Sequence, residues 1–244
     1  MNTIKRGVIM AAGEGRRLRP ITLTTPKPLI PVGGKRLIDT GIQALRANGI
    51  TEIYVVVGYK KECYQGLPKE YPGLTLIENP YYDTCNNISS AYVAREHLSD
   101  AILMEADFLL QEPNMLRPSF ERSGYCALGV DKPNPEEWML TVDERGKITG
   151  CATDGSSGNY QLYGVSMWSA EDGKRLAAHL EETFVVQGRR DIYWDRLPLF
   201  LYAGEYDLGI REIAYGDIHE IDTLEELAAV DGSYETYLEQ AQAK

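Results

Sequence analysis

Positive charge gathers directly behind the first apolar run of this chain. Residues 8–34 read VIMAAGEGRRLRPITLTTPKPLIPVGG. The run ends in Gly13 and Gly15, three arginines follow at 16, 17 and 19, and Lys27 stands between Pro26 and Pro28. A glycine-rich turn after a strand can aim backbone N–H groups at an anion and lets a phosphate approach closely. The prolines restrict the backbone and can fix a lysine in an extended loop. The chemistry indicated is the gripping of a small phosphorylated ligand. Two standard phosphate loops are not present. The dinucleotide fingerprint G-x-G-x-x-G has Leu18 where its third glycine belongs, and GGKR at residues 33–36 does not complete G-x-x-x-x-G-K-[ST]. Neither hydride transfer nor ordinary P-loop hydrolysis is favoured.

Acidic residues recur where a ligand would sit. Asp107 closes the buried run AILMEAD, and open α/β sheets bind ligands beyond the carboxyl ends of their strands. Glu220 and Asp222 alternate in IHEIDT, so an extended segment presents both on one side. Glu105, two residues before Asp107, reads as a neighbour rather than a ligand. The histidines, His97, His179 and His219, stand in no triad-like context.

The elements that must position these groups follow a βαβ rhythm in the first half. GVIMAA, EIYVVVG, LTLIEN and AILMEAD read as strands, LIDTGIQALRANG and NNISSAYVAREHLS as helices. Asn86 or Asn87 is the expected N-cap of the second helix. From about residue 125 the pattern becomes strand-rich: YCALGV, MLTVDERGKITGCAT with a hairpin turn at DERGK, and YQLYGVSMW. SAEDGKRLAAHLEETFV and IYWDRLPLFLYAG read as helices, YDLGIREIA as a strand, and TLEELAAVDGSYETYLEQ as a C-terminal helix with capping-box spacing at Thr223 and Glu226. The expectation is one α/β domain over 1–244. It is Rossmann-like, with a mixed, mainly parallel sheet flanked by helices. Residues of about 1–124 form a nucleotide-binding half and about 125–244 a strand-rich acceptor-binding half.

Composition bounds the partners. The net charge of −11 over 244 residues argues against a general nucleic-acid or membrane-surface binder, because both need a basic footprint. Cys63, Cys85, Cys126 and Cys151 are scattered without metal-type spacing, so reduced thiols in the cytoplasm are expected. The N-terminal apolar run is too short for a signal peptide and leads straight into the loop.

The stretch MAAGEGRRLRPITLTTPKPLIPVGGKRLI resembles the signature of the nucleotidylyltransferases that make sugar nucleotides and related activated compounds: a strand, G-x-G-x-R-L-x-P-x-T, then P-K-x-L-x-P-V. The resemblance implies a nucleotidyltransferase or GT-A-like fold. It implies that Arg17 and Lys27 are catalytic cations and that the backbone from Ala11 and Ala12 through Gly13, Glu14 and Gly15 holds base and triphosphate. It also implies that Asp107, catalytic as well as metal-binding, joins Glu220 and Asp222 in holding Mg2+. Magnesium suits such carboxylates beside phosphate oxygens. The implied reaction is in-line attack of an acceptor phosphate on the α-phosphorus of a nucleoside triphosphate, with pyrophosphate leaving. A phosphate monoester has its second pKa near ~6, so the nucleophile needs no general base.

The middle of the chain narrows the resemblance. YYDTCNNISSAYVA, NPEEWML, YGVSMW and DIYWDRL resemble the bacterial phosphocholine cytidylyltransferase branch, which implies CTP as donor, phosphocholine as acceptor and CDP-choline as product. Asn87 and Ser90 are assigned to cytosine selection on that basis. Independently, Trp138, Trp168, Trp194 and Tyr193 lie in the second half. A quaternary ammonium is recognised by aromatic faces at ~0.5–2 kcal/mol per ring, with Asp191 and Asp195 adding charge. DIYWDRLPLFLY has an apolar face at helical spacing, so some of these rings can equally be core. Three alternatives stay open: a cytidylyltransferase for 2-aminoethylphosphonate or phosphoethanolamine, a sugar-1-phosphate nucleotidylyltransferase, and a non-catalytic nucleotide sensor. A primary ammonium would favour carboxylates and hydrogen-bond acceptors over a full aromatic cage. Oligomeric state is not indicated.

Overall fold

The computed structural model describes residues 1–242. A nine-stranded mixed sheet organises the chain. Its parallel half comprises β1 (Arg6–Ala11), β2 (Glu52–Val57), β3 (Leu74–Glu78) and β4 (Ala101–Glu105), ordered β3-β2-β1-β4. Strands β1, β2 and β4 are largely apolar runs because both faces are covered, whereas β3, LTLIE at the sheet edge, is only partly buried. Helix α1 (Leu37–Ala47) lies between β1 and β2, and buries Leu37, Ile38, Ile42 and Leu45. Gly49, with φ of 77°, follows as the expected stop. Helix α2 (Ile88–Val93) precedes β4.

Beyond β4 the sheet changes direction. Strand β5 (Phe108–Leu110) leaves it as a separate pair. Strand β6 (Gly124–Gly129) joins the hairpin of β7 (Met139–Val142) and β8 (Ile148–Ala152), and the long β9 (Tyr160–Trp168). Strand β9 is antiparallel to β4 and β6, with Val165 opposite Met104, and so ties the second half to the first. Helix α3 (Ala170–Glu181) follows, capped by Ser169, whose hydroxyl accepts from the Asp172 N–H. Then come β10 (Gly209–Ile213), parallel to β6, and β11 (Ile218–Glu220).

Four expected elements differ. NNISSAYVAREHLS is α-helical only over Ile88–Val93 and ends in a 3-10 turn, Arg95–His97. The second-half helix SAEDGKRLAAHLEETFV is α-helical only to Glu181 and continues as a π-helical turn, Glu182–Val186. IYWDRLPLFLYAG holds a single π-helical turn, Leu197–Leu201, with Pro198 in its first positions, where no N–H partner is lost. The C-terminal helix is two, α4 (Leu224–Val230) and α5 (Glu235–Gln242), divided by a turn at Gly232–Tyr234 that Asp231 caps. The capping box of Thr223 and Glu226 is present.

The core divides across the sheet. Ile9, Val55, Ile102 and Met104 pack with α1 on one face, while Val8, Leu103, Leu176, Phe184, Trp168 and Trp194 pack on the other. Burying each large apolar side chain is worth ~1.5–3 kcal/mol. All four cysteines are free thiols. No helix among the described residues is long and apolar enough to cross a membrane.

Candidate active site

The loop after β1 folds into three short turns, Arg16–Leu18, Ile21–Leu23 and Lys27–Leu29. Gly15 has φ of 61°, and a Cβ there would lie 2.9 Å from the Lys27 Cβ. Glycine therefore lets the loop fold back onto its own lysine. Pro26 and Pro28 flank Lys27, and the turn buries its stem to 8% exposure. The Tyr59 hydroxyl donates to the Thr22 carbonyl at 2.8 Å and holds the outer turn.

Register brings the acids together from distant parts of the chain. Strand β11 pairs antiparallel with β5, Glu220 opposite Phe108, and the Ile221 N–H donates to the Asp107 carbonyl at 3.0 Å. Carboxylate oxygens of Asp107, Glu220 and Asp222 thereby lie within 4.8 Å of one another. Lys27 Nζ donates to Asp107 Oδ2 at 3.0 Å and to Asp222 Oδ1 at 2.7 Å; Arg17 reaches Asp222 Oδ2 at 2.6 Å from a largely exposed position. Burial disfavours charge on Lys27, but Asp107 and Asp222 outweigh it and hold its pKa above the ordinary lysine value. Asp222 likewise stays below the carboxylate range despite burial, because Lys27 and Arg17 face it. Glu220 has no such cation. Burial, then Asp107 and Asp222, push it up to about 9. Asp107 Oδ1 is buried without a hydrogen-bond partner. A hard divalent cation suits three clustered carboxylates with an unpartnered oxygen among them, so the residues present fit Mg2+.

A cleft of about 320 Å³ opens between this cluster and the β1 loop. Ala11, Ala12, Gly13, Gly15, Arg17, Lys27, Asn87, Ser90, Glu105, Asp107 and Asp222 border it, as do Arg16 and Pro28. Most expected nucleotide-side residues are thus gathered in one place. Glu14 does not border the cleft; its carboxylate pairs with Arg16 at 2.7 Å and Arg19 at 3.2 Å. The Ser90 hydroxyl is engaged by Asn79 Nδ2 at 3.1 Å.

Asn87 stands at the expected N-cap position and borders the cleft, but its side chain is engaged elsewhere. It precedes α2 but makes no side-chain cap. Its Nδ2 donates to Glu105 Oε1 at 3.0 Å, and its Oδ1 accepts from the Trp194 N–H at 3.0 Å. Glu105, read as a bystander, borders the cleft. Burial, with Asp107 and Asp195 nearby, pushes it up to about 8.

The expected acceptor residues separate into three groups. Trp168 has no exposed surface; its ring packs on Tyr125, Trp194 and Tyr206, and its Nε1 donates to Ser166 Oγ. Trp194 is 1% exposed and stacks on Tyr125 at 6.0 Å. Both indoles are core, Trp168 at the end of β9 and Trp194 in the stretch whose apolar spacing allowed it, and neither offers an open face. Trp138 and Tyr193 form a second, half-exposed pair, edge to face at 5.7 Å, with the Arg196 guanidinium 5.7 Å over the Trp138 ring. Asp191 is exposed beside them in sequence, whereas Asp195 is buried and pushed by burial up to about 7. Asp195 Oδ1, Trp194 Nε1 and the Tyr125 hydroxyl are buried without a well-formed hydrogen bond, although the Tyr125 hydroxyl lies near enough to Asp195 to counter part of the effect of burial. Such atoms cost ~1–3 kcal/mol each when unpaired. Sequence reasoning missed Tyr125, although a tyrosine on a buried strand brings a hydroxyl that needs a partner. It also missed Glu137, whose carboxyl is raised by burial and by Asp222.

Comparison with known proteins agrees with this geometry. A family model described as nucleotidyl transferase matches residues 6–115. The chain is 38% identical to the 2-aminoethylphosphonate cytidylyltransferase of Lancefieldella rimae, over 93% of this chain and 92% of that protein. It is 33% identical to the choline-phosphate cytidylyltransferase of Streptococcus pneumoniae, over 91% and 94%. The solved structure of CTP:phosphocholine cytidylyltransferase from S. pneumoniae superposes with a TM-score of 0.86 at 32% identity, covering 94% of this chain and 99% of that one. The structure of an inositol-1-phosphate CTP transferase from T. maritima, at 21% identity and a TM-score of 0.76, has the same fold. The chain is an enzyme of the nucleotidyl transferase family and belongs with its cytidylyltransferases.

Proposed function

We propose that this protein transfers CMP from CTP to a small phosphonate or phosphate bearing a primary ammonium, with 2-aminoethylphosphonate as the preferred acceptor. One observation carries the choice of acceptor. A carboxyl group borders the cleft, and two of the indoles expected to face an acceptor are enclosed instead. Glu105 borders the cleft and Asp195 acts on it electrostatically, while Trp168 and Trp194 are enclosed. A primary ammonium donates hydrogen bonds, which carboxyl oxygens accept, and its charge would favour the ionised form of Glu105 that burial and neighbouring acids disfavour in the free protein; a quaternary ammonium needs open ring faces. The similarity to a 2-aminoethylphosphonate cytidylyltransferase supports the same reading.

In this reading the backbone from Ala11 to Gly15 and the buried Ser90 bind the nucleotide beside the cleft. Lys27 and Arg17 lie against Asp222 and exchange that contact for the triphosphate. An acceptor oxygen forms a bond to the α-phosphorus as the bond to the β-phosphate bridging oxygen breaks, and pyrophosphate departs with the electron pair. The acceptor oxygen is already ionised, so no side chain need remove a proton. Positioning and charge neutralisation carry the rate. Mg2+ held by Asp107, Glu220 and Asp222 would supply further neutralisation at the phosphates.

A second reading is phosphocholine as acceptor, favoured by the half-exposed Trp138–Tyr193 pair and by the S. pneumoniae enzyme's superposition. Phosphorus NMR of a reaction with CTP, Mg2+ and 2-aminoethylphosphonate tests the main reading. It predicts a new phosphate–phosphonate anhydride with stoichiometric pyrophosphate. CTP left unchanged there, but consumed with phosphocholine, would transfer the assignment to the second reading.

A further inference from the structure

A second charged cavity lies at the other end of the sheet. Strand β9 runs antiparallel to β4, and Met167 on β9 pairs with Ile102 near the start of β4. The cleft lies beyond Glu105, at the end of the same strand. Met167 and Gly209 border a cavity of about 310 Å³, which Arg117, Arg122, Arg145 and Arg211 also line. Four arginines on the lining of one cavity are unexpected in a chain of net charge −11.

The charges there are unevenly compensated. Arg122 pairs with Asp207 at 3.0 Å, and Lys147 takes that carboxylate's other oxygen at 2.8 Å. Asp143 feels the charges of Arg122 and Arg145, but it is committed to the Arg145 and Lys147 N–H groups of its own turn. Arg211 is 4% exposed and donates only to carbonyls, those of Met115 and Ser119, each at 2.8 Å. Among the described residues neither Arg211 nor Arg117 forms an ion pair within 4.0 Å, in contrast to Arg122. Burial and the nearby positive charge of Arg117 bring the Arg211 pKa down to about 10. The one acidic residue on the lining is Glu121. A buried cation facing a second cation without an intervening carboxylate is an arrangement that an anion relieves.

We infer that this cavity binds a compact dianion of the phosphate or phosphonate class, between Arg117, Arg145 and Arg211. The site is separate from the cleft where CTP would bind. Planar guanidiniums match the tetrahedral oxygens of such a ligand in bidentate geometry. The volume, about 310 Å³, admits a phosphoryl group with a short substituent. An occupant would join the segment of residues 117–122 to the turn of residues 143–147 and to β10. That turn closes the hairpin whose first strand begins immediately after Trp138.

The test uses full-length, ¹⁵N-labelled protein carrying Arg17→Ala and Lys27→Ala, so that the cleft's own cations are removed, and titrates inorganic phosphate without metal. The expected result is saturable shifts of the Arg117, Gly146 and Gly209 amide signals. Adding Arg117→Ala and Arg145→Ala, both at exposed positions, should weaken that binding by about tenfold or more with the rest of the spectrum retained. In the otherwise native chain this pair of substitutions should leave basal pyrophosphate release unchanged. Shifts that never saturate, that spread evenly over the surface, or that survive the added substitutions would overturn the assignment.

Discussion

Asn87 Nδ2 donates to Glu105 Oε1 at 3.0 Å. The same amide's oxygen accepts the Trp194 N–H, and the neighbouring Asn86 N–H donates to the Arg190 carbonyl at 2.9 Å. The segment after α3 is thus fastened to the edge of the cleft through two consecutive asparagines. Asn87 is a positioning residue in this arrangement, its amide holding Glu105 and the Trp194 N–H at once while a second N–H stays available at the cleft. Replacing it by alanine frees Glu105 and the 190–195 segment together. Losing hydrogen bonds to buried groups costs ~1–3 kcal/mol, so kcat/KM for the acceptor should fall about tenfold to 10²-fold, mainly through KM, while KM for CTP changes little. Steady-state kinetics with each substrate varied will check this. An effect confined to CTP would return Asn87 to the nucleotide site.

Lys27 holds Asp107 and Asp222 as a cation would. Lys27→Ala should lower turnover by about 10²-fold or more, the scale seen when a preorganised charge is removed. The same substitution leaves the acids without their internal cation, so Mg2+ binding to the nucleotide-free protein should tighten. Calorimetric titration of Mg2+ into both proteins measures this directly. Weaker Mg2+ binding in the variant would mean that the lysine organises the acids rather than competing for them.

Asp195 is pushed by burial up to about 7, from an ordinary value of 3.8. Between those values the folded protein holds a proton that the unfolded chain has lost. The sign is therefore fixed: this group's contribution to stability declines as pH rises from about 4 through about 7 and is level above that. Asp195→Asn removes the titration. The variant should gain stability relative to the native chain between about pH 5 and about pH 8, by urea unfolding. A constant difference across that range would show that the Asp195 carboxyl does not titrate there.

Arg196 lies 5.7 Å over the Trp138 ring and places a cation where a quaternary ammonium would bind. Arg196→Ala should raise kcat/KM for phosphocholine relative to 2-aminoethylphosphonate. One cation–π contact of ~0.5–2 kcal/mol corresponds to about 2-fold to 30-fold. No change in the ratio would detach this aromatic pair from acceptor choice.

Much of the site was legible in the chain because its chemistry is local. Gly15 and the proline-flanked Lys27 act within one loop, and Asp107 follows directly on a strand whose apolar run is unmistakable. Glu220 and Asp222 could be grouped by alternation, but their meeting with Asp107 depends on the β5–β11 register, which no local pattern encodes. The tryptophans show the opposite limit. A ring in a binding cage and a ring in the core have the same composition signature, and only packing separates Trp168 from Trp138. Asn87 shows a related limit, since its place at the helix start was legible but its side-chain partners were not. An asparagine before a helix is usually a cap, but here its side chain finds stronger tertiary partners. The two-part C-terminal helix was also hidden: Gly232 inside an otherwise helical pattern lowers helix propensity by only ~1 kcal/mol, and Asp231 decides the break by capping the turn that follows.

The central claim is that carboxylates, rather than a complete aromatic cage, select the acceptor. Its most direct measurement is pyrophosphate release with CTP and Mg2+, comparing kcat/KM for 2-aminoethylphosphonate, phosphoethanolamine, phosphocholine and glucose 1-phosphate. The account predicts that the two primary-amine acceptors exceed phosphocholine by about tenfold or more, with 2-aminoethylphosphonate first and the sugar phosphate inactive. Phosphocholine turning over faster than both primary amines would contradict it.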